Sequence, residues 1–439
     1  MQKKIIIAGA GHGGLSAAAL LAKKGFDVTV YEKNSEGKLG HDWLDVFSPN
    51  VLEMAKIPFP PAEKVMYKDN MTFYSPNMRT AIKQNVAPDQ LELKMERRDI
   101  YEMLVDNCIA CGVNFVYNCK ITAPIVDGER VTGITTDKGD FYGDMVIDAA
   151  GLNSPVRRNL PAQCCIEKEV GDNNRLYVYR AFYETAQPLE EEFYHVCLLP
   201  EGKIGLAWIG SEKEYIDFFI GRFEPFSLEE ARQSAQFFRD TKMPFGKEVK
   251  RGGQFVQIPL RHPLSLMVCD GYAAIGDSAF MTVPVTGNGI ANSITAGSLL
   301  AQTVVRAAFK GFCAADLWQY QYNYYKALGA GTAALACVKG LLTEIAPEEL
   351  DYVFEKGILT SNEMTFGADT TSIAAIFKLS PLDAARRGKH IAANGELLKK
   401  LLPVGAKIAK VTALTASMPK TWNKERVCVW AQRYCRAFR

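Results

Sequence analysis

"IIIAGAGHGGLSAAALLAKKGFDVTVYEKN", Ile5 to Asn34, is the stretch whose reading decides the fold. Ile5, Ile6 and Ile7 form a continuous β-branched run, as expected of a parallel strand buried on both faces. Gly9, Gly11 and Gly14 follow in G-x-G-x-x-G spacing. In that arrangement the first glycine permits a tight turn. The second lets a pyrophosphate approach the backbone, and the third lets the next helix pack close to the sheet. "LSAAALLAKKG" reads as that helix, stopped at Gly25, with its free N–H groups facing the phosphates. "DVTVYE" is a second strand, ending at Glu32 with Lys33 beside it. Glu32 comes 32 − 9 = 23 residues after Gly9, where a carboxylate can accept hydrogen bonds from ribose hydroxyls. A 2′-phosphate would clash with that carboxylate, which disfavours NADP here. The stretch alone leaves both FAD and NAD open.

Working outward, 439 residues exceed one ordinary core and suggest two or three domains. The composition, 48% hydrophobic and 23% charged, is globular. A net charge of +2 gives no case for nucleic acid. The charge is uneven, however. From Arg386 to Arg439 there are 13 Lys+Arg and 2 Glu, a net of +11, so the remainder carries 2 − 11 = −9. Such a tail suggests an anionic surface or partner. No apolar stretch approaches the roughly 18 to 20 residues that span a bilayer. Eleven cysteines without a secretory signal lead us to expect a cytoplasmic chain with reduced thiols. Cys108 and Cys111 form a C-x-x-C with no second pair at zinc spacing, so packed thiols are expected and no metal site.

"GYAAIGDSAFMTVPVTGNGIANSITAGSLLAQTVV", Gly271 to Val305, chooses the cofactor. A short strand ends at Gly276 and Asp277, a loop carries Pro284, Gly287, Asn288 and Gly289, and a helix of small residues begins at Ile290. This resembles the second FAD signature of flavoproteins with the p-hydroxybenzoate hydroxylase fold. The resemblance implies that Asp277 binds a ribityl hydroxyl and that the loop and helix start lie against the isoalloxazine. A helix N-terminus suits the negative charge that a reduced flavin carries. In "ELKMERRDIYEMLVDNCIACG", Arg97, Ile100 and Leu104 fill an R-x-x-ϕ-x-x-x-L pattern whose arginine contacts FAD in that family. Arg98 is the competing assignment.

"MVIDAAGLNSPVRR" matches a further segment of the family except at one position. Ala150 stands where the hydroxylases use an aspartate around FAD and NADPH, which argues against direct NADPH-driven hydroxylation. Asp148, two residues earlier on the same strand face, is not an obvious substitute. "PVTGNGIANSITAG" and "FYHVCLLPEGKIGLAWIG" are more similar to the geranylgeranyl reductase branch, whose members reduce isolated C=C bonds of prenyl chains with FADH2 fed by an electron donor.

The expected fold class is α/β: a Rossmann-type, GR2-like FAD-binding domain with an inserted antiparallel-sheet substrate domain and a C-terminal helical region. The expected FAD domain is discontinuous, over 1–60, 95–165 and 265–330. The substrate domain takes 61–94 and 166–264, and the helical region 331–439. The expected function is hydride delivery from FADH2 to an apolar unsaturated molecule. The alternatives are a monooxygenase of the same fold and an electron-transfer flavoprotein without a small substrate. NAD(P)H or a ferredoxin-like protein would be the donor.

Candidates beside the flavin come from "KLGHDWLDVF". His41 could bond the flavin or donate a proton, and Trp43 could stack on a ring. On the sheet, His195 and Trp208 are substrate-contact candidates. His195 and Tyr194 point to opposite sides, so one of them could face the cavity. In the tail, Val427, Trp430, Tyr434 and Phe438 share one helix face. That face either docks on the body, the favoured reading, or lies on anionic lipid.

Overall fold

The computed structural model describes all residues except 1, 69, 186–192, 213, 242–244, 366–370, 373–375, 377–378 and 439. Its first layer is a six-stranded sheet. The strands β1 (Lys4–Ala8) and β2 (Asp27–Tyr31) lie beside each other in parallel, with Ile5 opposite Val28. Met145–Asp148 flanks β1 on the other side, also in parallel. Asn114–Val116 closes one edge, and Tyr272–Ala274 followed by Val268–Cys269 closes the other. Ile5, Ile6 and Ile7 are fully buried. Each such side chain contributes about 1.5–3 kcal/mol on burial, which is why an unbroken apolar run sits at the sheet centre.

Helix α1 (His12–Ala22) leaves β1 and crosses the helix Ile290–Arg306 at short range. The small residues of both segments allow this. A Cβ on Gly297 would stand 2.6 Å from the Gly13 carbonyl oxygen, and Ser16 Oγ donates to the Ile294 carbonyl at 3.2 Å. The two glycine-rich signatures, 260 residues apart in sequence, are brought together by this crossing.

The second layer is a seven-stranded sheet. Its order is Phe245–Pro259, Arg175–Thr185, Tyr215–Arg222, Gly205–Glu212, Tyr194–Leu198, Thr72–Tyr74 and Ala81–Lys83. Neighbours are antiparallel except for Tyr194–Leu198 and Thr72–Tyr74. Tyr194–Leu198 and Gly205–Glu212 form the expected hairpin around the turn Pro200–Gly202. A buried ion pair within this sheet also ties it to a small three-stranded sheet. Arg180 grips Asp217 at 2.9 and 2.7 Å and donates to the Leu44 carbonyl at 2.6 Å. Leu44 begins strand β3 (Leu44–Phe47), which pairs with Leu93–Glu96.

The C-terminal region is helical, and its last helix, Lys424–Arg436, docks by its apolar face. Val427 and Tyr434 are fully buried and Trp430 is 4% exposed. The Trp430 indole N–H donates to the Leu414 carbonyl at 2.8 Å, and Phe438 stacks on His262 at 3.9 Å. That face is spent on the protein body and is not offered to lipid. Among the described residues, no single helix is long and apolar enough to cross a membrane.

Candidate functional site

Where the layers meet lies a cleft of about 880 Å³. One end is lined by Gly9, Gly11, Glu32 and Lys33, the middle by His41, Trp43, Arg97 and Tyr101, and the floor by Gly276, Asp277, Gly287, Gly289 and Ile290. Strand Phe245–Pro259 and its neighbours supply an apolar wall of Tyr177, Phe226, Phe255, Val256 and Ile258.

The glycine turn is shaped by the crossing strand as much as by space for a ligand. A Cβ on Gly11 would lie 2.8 Å from the backbone oxygen of Ala149. Gly14 packs against Ala149 in the same way, which seats α1 on the sheet. Glu32 is 7% exposed. Its two oxygens accept from the backbone N–H groups of Ala10 and Asn34, both at 2.9 Å. The carboxylate is thereby oriented at the mouth of the turn, with lone pairs left for hydroxyl donors.

Arg97 opens the helix Arg97–Ala110 and lines the cleft. Its guanidinium is held in a fork by Asp45, through Nε and through Nη2 at 2.8 Å. Burial pushes the Asp45 carboxyl up, but Arg97 beside it outweighs that and holds the carboxyl below its ordinary value. Arg98, the competing assignment, is 79% exposed at its side chain and is not among the residues that line the cleft.

His41 and Trp43 lie together in the cleft, ring centroids 5.3 Å apart. Burial and then the Arg97 charge lower the His41 pKa to about 4. At neutral pH only roughly one molecule in a thousand carries an imidazolium there. A neutral imidazole can hold a hydrogen bond in the cleft.

Asp277 is held by the Thr282 hydroxyl at 2.8 Å, and burial raises its pKa. Gly289 caps the helix Ile290–Arg306, whose first turn faces the cleft. Two residues of this loop do not line the cleft. Pro284 is buried in the protein. The Asn288 side chain turns to the Val46 carbonyl at 2.5 Å and back to the Ile290 N–H at 3.2 Å, so it pins the loop to β3.

The sheet candidates separate by register. Val196, Trp208, Phe219, Arg180 and Gln254 stand side by side on one face. His195, Ile209, Phe218, Ala181 and Gly252 stand on the other. Ile209, Phe218 and Ala181 pack with Ala231, Ala235 and Phe238 of the helix Leu228–Asp240. His195 is not among the residues that line the cleft. It packs between Tyr74 and Phe193 at 5.0 Å from each. Trp208 is on the near face but below the cleft surface. It stacks on Phe219 at 3.5 Å and donates to Asp217 at 3.0 Å.

Ala150 lines the cleft where the resemblance would place an aspartate. Asp148 does not replace it. That carboxylate is fully buried and accepts from Ser154, Tyr272, Ser278 and the Ala150 N–H, at 2.6, 2.8, 3.0 and 3.1 Å. Its acceptor sites are taken up by structure.

His12 and Tyr101 line the cleft and were absent from the sequence-derived set. The His12 and Tyr101 rings stack at 4.6 Å. Burial, then Arg97, lowers the His12 pKa to about 4. The signal in sequence was an unusual residue inside the glycine motif, G-H-G, but its surroundings come from the distant helix Arg97–Ala110.

The residues fit a flavin dinucleotide. Glycine backbone and an oriented carboxylate stand at one end and a buried aspartate and a helix start at the other, and among the described residues the buried His12 Nε2 and Trp43 Nε1 have no hydrogen-bond partner.

Comparison with known proteins agrees. The family described as NAD(P)-binding Rossmann-like domain matches residues 7–42. The digeranylgeranylglycerophospholipid reductase of Sulfolobus acidocaldarius is 24% identical over 97% of this chain and 96% of its own length. A geranylgeranyl bacteriochlorophyll reductase-like protein of Thermoplasma acidophilum superposes with a TM-score of 0.73 at 18% identity, covering 90% of this chain and 99% of that one. A probable FAD-dependent monooxygenase of Pseudomonas aeruginosa gives 0.58 at 20% identity, covering 81% and 100%. The chain is thus similar over nearly its whole length to a digeranylgeranylglycerophospholipid reductase, and its fold is one that reductase-like proteins and FAD-dependent monooxygenases share.

Proposed function

We propose that the protein is an FAD-dependent oxidoreductase that reduces a carbon–carbon double bond of an apolar, prenyl- or lipid-like molecule. The observation that carries this reading is the single cleft uniting Gly9–Gly11 and Glu32 with Asp277, Gly289 and Ile290, beside an apolar wall. Bound and reduced, FAD supplies the hydride. The chain's residues do the rest. Glu32, Lys33 and Arg97 hold the dinucleotide, and Asp277 and the helix start at Ile290 orient its far end. Tyr177, Phe226, Phe255, Val256 and Ile258 take the apolar substrate and keep water out. Trp43 packs with Val256 and Ile258 and extends that wall.

The reductase reading is favoured over oxygen insertion because Ala150 stands at the aspartate position and Asp148 is fully engaged. Turnover under strict exclusion of oxygen decides between them. A saturated product formed anaerobically with a chemical reductant is expected; a product that forms only with O2 overturns the reductase reading. The same reading sets the basic tail, net +11 from Arg386 to Arg439, against anionic lipid. Cosedimentation with anionic vesicles at low salt is expected, and its absence rejects the lipid contact.

A further inference from the structure

Strand pairing brings a carboxylate to the one guanidinium in the middle of the cleft. Leu44 of β3 stands opposite Glu96, and Asp45 stands opposite Met95. Arg97 follows Glu96 directly, and its backbone N–H donates to the Trp43 carbonyl at 2.8 Å. Asp45 and Arg97 are thus diagonal neighbours across the pair, within reach of long side chains. The contacts agree with the register. The Arg97 guanidinium lies 5.5 Å from the Trp43 ring, and Asp45 holds it in a fork through Nε and Nη2.

The two partners differ in one respect. Arg97 lines the cleft, and Asp45 does not. Two of the five guanidinium N–H groups go to Asp45, and among the described residues the others have no acceptor in the protein. The arginine stem is confined as well. Gly40 has a φ of +80°, and a Cβ there would stand 2.8 Å from Arg97 Cγ. Arg180 lies 5.6 Å from the same Trp43 ring, and its charge opposes that of Arg97. Asp45 attracts both cations. A carboxylate beside a guanidinium weakens its pull on an anion, so what Asp45 adds to a binding site is aim. A freely rotating arginine must be ordered when a ligand binds, whereas a forked one is ordered beforehand.

We propose that Asp45 is a positioning residue: it does not touch the bound dinucleotide, and it aims the Arg97 guanidinium for it. The inference rests on the FAD reading above and adds to it a residue outside the cleft lining.

The test is a double-variant cycle read by FAD titration, with thermal unfolding of the FAD-free protein alongside. Asp45→Asn keeps the shape and removes the charge that holds the fork. It is expected to weaken FAD binding roughly 2- to 10-fold. In an Arg97→Ala background the same change should alter FAD affinity by no more than about twofold, because Asp45 acts through Arg97. The unfolding temperature should respond differently. Arg97→Ala strips the buried carboxylate of its partner and lowers that temperature, and adding Asp45→Asn recovers part of the loss. Stability recovered without FAD affinity separates aiming from support of the fold; recovery of both together overturns the inference. An equal loss of FAD affinity in both backgrounds also overturns it, as does unchanged or tighter binding in Asp45→Asn alone. Each of these leaves the FAD reading intact, whereas wild-type protein that binds no FAD overturns both. Should Asp45→Asn fail to fold, Asp45→Glu takes its place, keeping the charge and displacing the guanidinium by one methylene. Its FAD affinity should fall by a similar factor, and an unchanged affinity overturns the inference.

Discussion

The two walls of the cleft are built in opposite ways. The nucleotide wall comes from short, consecutive stretches: β1, its glycine turn, Glu32, and the run from Gly276 to Ile290. The sheet wall comes from residues scattered from Tyr177 to Ile258 and brought together by strand pairing. In the first wall, local spacing dictates which atoms face the ligand. In the second, a one-residue change of register reverses every side chain. That is why Gly9, Gly11, Glu32 and Asp277 lie in the cleft, while His195 is not among the residues that line it.

This contrast can be broken by substitution. The largest effect belongs to the nucleotide wall. Gly11→Val drives a side chain into the Ala149 carbonyl, and FAD binding should be lost, with the purified protein colourless. Retained yellow colour would mean that the turn has room that its geometry denies. Next comes the ion pair that joins the sheet wall to β3. Arg180→Ala strands the fully buried Asp217 carboxylate, and denaturant unfolding should show a loss of about 3–5 kcal/mol.

Smaller is a pH effect from two buried histidines, one in the nucleotide wall and one under Phe438 of the tail. His12 is lowered to about 4, and His262 to about 3, chiefly by burial. Both bind protons in the unfolded chain near 6.5 but not in the folded one. Stability is therefore whole above pH 6.5 and falls as the pH drops toward 4. The loss is roughly 1–2 kcal/mol per fully buried histidine by pH 5. Unfolding midpoints measured from pH 7.5 to 5 should decline accordingly; a flat profile would place these imidazoles in water. Least of all, Arg98→Ala and His195→Phe should leave FAD affinity within about twofold, since neither residue reaches the cleft.

Legibility in sequence followed the same division. The strand–turn–helix–strand order, Glu32, the strand before Asp277 and the helix from Ile290 were readable because each is local. The apolar face Val427, Trp430, Tyr434 and Phe438 was readable as one stripe, and its docked state follows from the partners it finds in Leu414 and His262. Three features were not readable. The face of the sheet taken by His195 depends on pairing across four strands. The pinning role of Asn288 depends on β3, more than two hundred residues away. The pKa of His41 depends on an arginine from another element. In each case tertiary neighbours, and no local pattern, set the outcome.

The central claim is that the glycine turn and the Asp277 loop grip one FAD rather than a nicotinamide dinucleotide. Equilibrium titration of wild-type and Asp277→Ala protein with FAD, NAD and NADP, each alone, tests it directly. The account predicts tight one-to-one FAD binding, weakened by roughly tenfold or more in Asp277→Ala. NADP should find no comparable site at the glycine turn. Tight NAD binding that is indifferent to Asp277, in a protein that takes up no FAD, would contradict it.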